Sequence, residues 1–286
     1  MVNCTRALLV LILLCKLGSA QSTTRPKFFD RARIEHGEAG VTVTANESLP
    51  LFQAIDAVRL EYGWQVNWES APCYSHFDVV DDTAPKWRAS HPNEKGVTRP
   101  AGGLYIGTFP EPKEISDLGA ERVTLNRLVD QYNATGNPGK YSLREGPGGQ
   151  LSVVGTRVRD ETGSLQDVRP LLDTPLTIRR EPRSVYAAIK SILAALESAT
   201  GKSVLFAAAS SSLFRTTQAT IGGKAVPARE LLMQALASTE RPIQYDLSFD
   251  PDVPTYILGV SPAMREEDDG AGGRKLVAPN WRVAHP

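Results

Sequence analysis

The amino-acid sequence predicts an α+β fold of two tandem small modules, each of the strand-helix-strand and strand-helix-hairpin type. Three observations carry this expectation. Apolar residues recur at steps of four, three and four in two stretches, Leu51, Ile55, Val58, Tyr62 and Val185, Ile189, Ile192, Leu196, which is the spacing of one face of an α-helix. Short runs suited to strands flank both stretches. Farther along, Val123, Leu125, Leu128 and Val129 match Val226, Ala228, Leu231 and Leu232 at a constant offset, and a hairpin pattern follows each set.

In chain order, residues 1–20, MVNCTRALLVLILLCKLGSA, have the form of a secretory signal peptide. Arg6 is the positive region, Ala7 to Leu14 the apolar core, and Gly18 and Ala20 the small residues before an expected cleavage between Ala20 and Gln21. Lys16 interrupts the apolar run long before the roughly 20 residues that a membrane-spanning helix needs. Ile12, Leu13 and Leu14 precede Cys15, where lipidation favours small residues. The expected location is therefore secreted or periplasmic, with no stable membrane insertion after cleavage. Cleavage removes Cys4 and Cys15 and leaves Cys73, so no internal disulfide is expected and the core must hold the fold.

Module one is expected over 34–160. It starts with the strand candidate VTV at 41–43. A helix over 49–62 follows, with Ser48 as cap, Pro50 in its first turn and Gly63 at its end. WQVNW at 64–68 reads as a strand and 123–133 as the second helix. Tyr141 to Val154 reads as a hairpin turning at Gly146 to Gly149. Module two, 174–262, repeats the order: LTI at 176–178, a helix over 184–200 capped by Ser184 and closed by Gly201, SVLF at 203–206, a helix over 227–237, and a hairpin from Tyr245 to Leu258 turning at Asp250, Pro251 and Asp252. DETGSLQDVRPLLDTP between them reads as a linker. Module one carries a net insertion at about 70–103, and the charged, Gly-rich tail, 263–286, is expected to be disordered. Val153, Ile257, Leu231 and Ile189 are expected to be nearly buried.

TTQATIGGKAVPARELLMQALASTERPIQYDLSFDPDVPTYIL is similar to the second half of the secretin and TonB short N-terminal domain (STN-like): a strand, a turn with glycine and proline, a helix of the type AxELLxxAL, then a hairpin ending in an Ile/Val-rich strand. SVYAAIKSILAALESATGKSVLF resembles the preceding helix, glycine and strand, and module one resembles the family in outline. The resemblance implies an extracytoplasmic docking domain that meets other envelope proteins.

Composition narrows the function classes. Hydrophobic residues at 41% and charged residues at 22% describe an ordinary globular protein. Thirty-two Lys and Arg balance 32 Asp and Glu, so no basic field exists for neutralising phosphates, and a general nucleic-acid partner is excluded. Site chemistry concentrates in the insertion, where Cys73, His76, Asp78, Asp81, Asp82 and His91 cluster. A thiolate, imidazoles and carboxylates can bind zinc, and Cys73 could act as a nucleophile with His76 or His91. Pro72, Pro85, Pro92 and alternating charges instead describe a solvated loop. No catalytic, metal or cofactor-binding residue and no cofactor is assigned.

Other motifs read structurally. Gly201-Lys202-Ser203 ends like a phosphate-binding loop, but Leu196 stands where that motif needs glycine, so the tripeptide reads as a helix cap. Gly259-Val260-Ser261, followed by Pro262 and Ala263, reads as a strand end rather than a nucleophile elbow. Asn46-Glu47-Ser48 and Asn133-Ala134-Thr135 fit the glycosylation sequon, yet helix-start and turn roles explain both asparagines. Trp64, Trp68, Tyr105 and Phe109 read as core rather than a ligand platform, and the acidic run Glu266 to Asp269 as solubilising. The expected function is non-enzymatic docking to another envelope or extracellular protein, through an exposed sheet edge and the insertion. The alternatives are a metal- or cysteine-dependent enzyme using 70–103, or a small-ligand-binding protein.

Overall fold

The computed structural model describes residues 31–114, 117–208, 211–270 and 273–279. The expected leader and the last residues of the expected tail lie outside this set. The fold mixes helices and strands in an α+β arrangement.

In the first half, β1 (Arg33–Gly37), β2 (Gly40–Ala45) and β6 (Tyr105–Phe109) form an antiparallel sheet in the order β1-β2-β6. Helix α1 (Pro50–Tyr62) buries Leu51, Ile55, Val58 and Tyr62, the face that its periodicity predicts. It stops at Gly63, whose φ of 73° lets its N–H reach the Arg59 carbonyl at 2.7 Å. Ser48 is not its cap: the Ser48 hydroxyl donates to the Pro100 carbonyl at 2.7 Å, and Leu49, at φ 53°, takes the cap position. Helix α3 (Leu118–Asn133) starts earlier than the predicted 123, because the Asp117 carboxylate caps it by accepting from the Gly119 N–H at 2.7 Å. Val123, counted on the predicted apolar face, is 61% exposed, while Leu125, Leu128 and Val129 are buried. Strand β3 (Val66–Glu69) lies parallel to β8 (Leu151–Arg159), which is the second arm of a hairpin with β7 (Lys140–Glu145).

The second half places β10 (Pro175–Ser184) antiparallel to β12 (Gln218–Pro227). Helix α4 (Val185–Thr200) is capped by the Ser184 hydroxyl, which accepts from the Ala187 N–H, and is closed by Gly201 at φ 67°. Strand β11 (Val204–Ala208), followed by the short helix α5 (Ser211–Thr216), is parallel to β14 (Thr255–Pro262), which pairs with β13 (Ile243–Asp250) as a hairpin after α6 (Ala228–Ala237). The parallel pair and hairpin β3-β8-β7 of the first half have a like arrangement in β11-β14-β13 of the second, whereas the antiparallel sheet has three strands in the first half and two in the second. Each half has its own core, one around Trp68, Leu128 and Tyr132, the other around Ile189, Leu231 and Tyr245.

The halves share one sheet, ordered β11-β14-β13-β3-β8-β7, with β9 (Leu165–Asp167) added on β8. The seam is parallel: Asp246 lies beside Trp68 and Leu247 beside Glu69, and the Ser70 N–H extends it to the Leu247 carbonyl at 2.8 Å. Neighbours in register share a face. Trp68 and Asp246 therefore face α1 and α3, whereas Glu69, Tyr245 and Leu247 face α4 and α6. β14 runs opposite to β3, so a half-turn about an axis across the strands relates the two strand sets, and the helix pairs cover opposite faces.

Three further expectations are corrected. Ile257 is only half-buried, because Tyr256, Leu258 and Val260 are the β14 residues that face the second core; Val153, Leu231 and Ile189 are fully buried. The segment between the halves is not a free linker, since β9 pairs with β8 and a 3-10 turn at 171–173 buries Leu171 and Leu172. The tail is ordered over β15 (Arg265–Asp268) and β16 (Arg274–Val277), a hairpin lying on α1, with Glu266 held by Arg31 and by Arg274 at 3.1 Å. Among the described residues no helix is long and apolar enough to cross a membrane.

Candidate functional site

The six chemical residues of the insertion go to separate partners. The root of the insertion leaves β3 and crosses onto the second half. Tyr74 meets the Phe249 ring edge-on with centroids 5.0 Å apart, and Cys73 joins the second core. Burial, helped by the charges of Asp78 and Asp250, pushes the Cys73 thiol up to about 12, so it is protonated and a poor nucleophile near neutral pH. Asp78 is buried and accepts from the Arg159 guanidinium at 2.8 Å, which ties the root to the end of β8. Beyond it, β4 (Val79–Asp81) and β5 (Thr98–Pro100) pair around the short helix α2 (Pro85–Ser90). Asp81 binds Arg88 at 2.6 Å and Asp82 binds Arg99 at 3.2 Å. His76 packs on the Phe77 ring, exposed, 3.7 Å from Glu161, while His91 stacks on Trp87 at 4.7 Å. Among the described residues no group of three or more His, Cys, Asp or Glu side chains is placed to hold a metal ion.

The insertion also clamps the halves together. The Asp252 carboxylate, in the β13–β14 turn, lies 3.3 Å from Lys95 and accepts from the Thr98 N–H at 3.3 Å. The root, through Tyr74 and Asp78, and the later part, through Lys95 and Thr98, are thus both tied to the rest of the fold.

The remaining motifs have structural places. Gly201 caps α4, Gly259 to Ser261 lie within β14, and Trp64, Trp68, Tyr105 and Phe109 are all core. Asn46 is exposed after β2, whereas Asn133 is engaged: its carboxamide oxygen accepts from the Tyr141 N–H at 2.9 Å and its nitrogen donates to the Tyr141 carbonyl at 2.8 Å.

A buried polar cluster that escaped sequence reasoning lies at the seam. The Arg229 guanidinium on α6 donates to both Glu69 carboxylate oxygens, at 2.6 and 2.7 Å, and also to Asp173. The Tyr245 hydroxyl donates to Glu69 at 2.7 Å, and Arg144 donates to Asp173 at 2.6 Å. Next to them the Asn67 carboxamide oxygen accepts from the Tyr245 N–H at 3.1 Å. Burial works against the charge on Arg229, but the hydrogen bonds and charge of Glu69 more than offset it and hold the proton firmly. Burial and the Glu69 charge push the Tyr245 hydroxyl well up. Every partner in the cluster is a fixed donor or acceptor, so its chemistry is that of a joint. The only signal in the sequence was a charged residue at the end of an apolar strand run, Glu69, and one within an apolar helix stretch, Arg229.

Two edges close the shared sheet, and they differ. The β7 edge is guarded where Asn133 occupies both backbone groups of Tyr141. At the β11 edge no strand lies alongside among the described residues. Leu205 on β11 is 56% exposed, beside half-buried Ile257 on the sheet face that α4 and α6 leave uncovered.

Comparison with known proteins finds no matching family model, no matching curated protein and no matching solved structure.

Proposed function

We propose that this is a secreted or periplasmic, non-enzymatic docking protein that binds another envelope or extracellular protein. The observation that carries the reading is the β11 edge, where no strand lies alongside among the described residues and the Leu205 side chain is exposed, whereas Asn133 occupies the Tyr141 backbone at the β7 edge. Unpaired N–H and C=O groups in such a strand are a template for a partner strand. The leader-like residues 1–20 and the resemblance to short N-terminal domains of secretins and TonB-dependent proteins point the same way. At the insertion, by contrast, the thiol is buried and the imidazoles lie apart from it at the surface, which gives an enzyme reading no support.

A photo-crosslinking amino acid placed at Leu205 in the full chain, expressed in its native host, tests the reading. The expected result is one discrete protein adduct from position 205 and none from position 123, an equally exposed site on α3. Equal labelling at the two positions, or none at 205, contradicts it.

A further inference from the structure

We infer that the β11 edge accepts an extended segment of a partner protein running parallel to β11, with apolar residues on the Leu205 face and acidic residues on the face bearing Lys202 and Arg215. The inference rests on the docking reading above and specifies what docks.

Backbone polarity sets the edge. The Tyr256 N–H donates to the Ser203 carbonyl at 3.1 Å, and Val204 lies beside Tyr256 and Leu205 beside Ile257 in a parallel register. In a parallel ladder this turns the N–H and C=O of Leu205 towards β14 and leaves those of Val204 and Phe206 pointing outward.

Strand direction follows from the seam. β3 and β11 hold the same place in their halves, after the first helix and parallel to the second arm of the hairpin. The outer edge of β3 is filled, and the strand filling it, β13, runs parallel to it. The seam is thus a filled instance of the edge that β11 leaves open. A second copy offering β7, the counterpart of β13, finds Tyr141 already held by Asn133 and, by strand alternation, brings Lys140 and Arg144 to the face that bears Lys202 and Arg215, so like charges meet there. The occupant is therefore a different polypeptide.

Side-chain chemistry sets the partner's pattern. On one face Leu205 lies beside Ile257 and Ala207 beside Gly259, a flat apolar strip. On the other, the Phe206 ring lies 5.6 Å from Tyr186, the Arg215 guanidinium sits 4.5 Å over Tyr186, and the Lys202 ammonium sits 5.9 Å from the Tyr256 ring. Neither cation pairs with a carboxylate among the described residues, so an alternating segment with acidic side chains on that face meets two available charges.

The probe is a short capped peptide in which valine alternates with glutamate, titrated into the isotope-labelled full chain while amide exchange is followed. The Val204 and Phe206 amides are expected to slow by about tenfold or more, with Leu205 and Ala207, already bonded to β14, little changed. Replacing the peptide's glutamates by lysine is expected to abolish binding. Leu205→Lys, which leaves the β14 ladder intact, is expected to weaken it by about tenfold or more. Val204→Pro removes one outward N–H and is expected to do the same. Failure of the peptide to protect Val204 and Phe206, equal binding of the lysine peptide, or protection that rises with protein concentration alone overturns the inference. If the peptide fails while position 205 still crosslinks a native protein, the docking reading stands and only the parallel-strand inference falls; failure of both overturns both.

Discussion

Glu121 lies in the first turn of α3, 5% exposed, and burial pushes its carboxyl up to about 7 from an ordinary 4.5. A carboxylate at a helix N-terminus is favoured by the helix dipole, but here desolvation wins. Because the folded protein holds this proton more tightly than the unfolded chain, the group's contribution to stability is complete below 4.5 and is lost as pH rises through about 7. Glu121→Gln should remove that slope and raise stability at pH 8 by on the order of 1–3 kcal/mol. Urea midpoints across pH test this, and an unchanged slope contradicts it. Neither Glu121 nor Cys73 could have been read this way from sequence, since residue type names a chemistry while burial decides its proton. The core aromatics were legible, because large apolar groups next to strand patterns are seldom left in water.

At the scale of elements, the seam depends on α6 meeting β3. Arg229 is held by Glu69 and Asp173, with little solvent access to either carboxylate. Removing one partner of a buried pair strands the other's charge, so Arg229→Met should cost about 3–5 kcal/mol, read from urea unfolding. A loss below about 1 kcal/mol would show that the joint is held by backbone pairing alone. The four long helices were legible because spacing within one element is local information, as were the glycines that close α1 and α4. The start of α3 was missed because Leu118 and Ala120 continue no apolar stripe. Ile257 was placed on the wrong face because a one-residue shift in strand register reverses every side chain. The β15–β16 hairpin was missed because its charged residues, besides pairing Arg274 with Glu266, find partners on α1 and at Arg31, far from them in the chain.

Among the described residues the two halves are joined through one shared sheet, beside smaller sheets of their own, and nothing in the local pattern announces that join. The pairing of Glu69 with Leu247 joins residues far apart in the chain, through strands that each read as complete within their own half. The join leaves β11 as the open end and turns the two helix pairs to opposite faces, so the uncovered side of β11 and β14 is a consequence of the seam. Native-state amide exchange on the free protein tests seam and edge together. The Ser70 and Tyr245 amides, bonded across the seam to Leu247 and Asn67, should exchange among the slowest outside the two cores, while the Val204 and Phe206 amides exchange fast beside a protected Leu205. If Ser70 and Tyr245 exchange as fast as Val204, the halves are not one sheet; if Val204 and Phe206 are as slow as Leu205, the edge is not open.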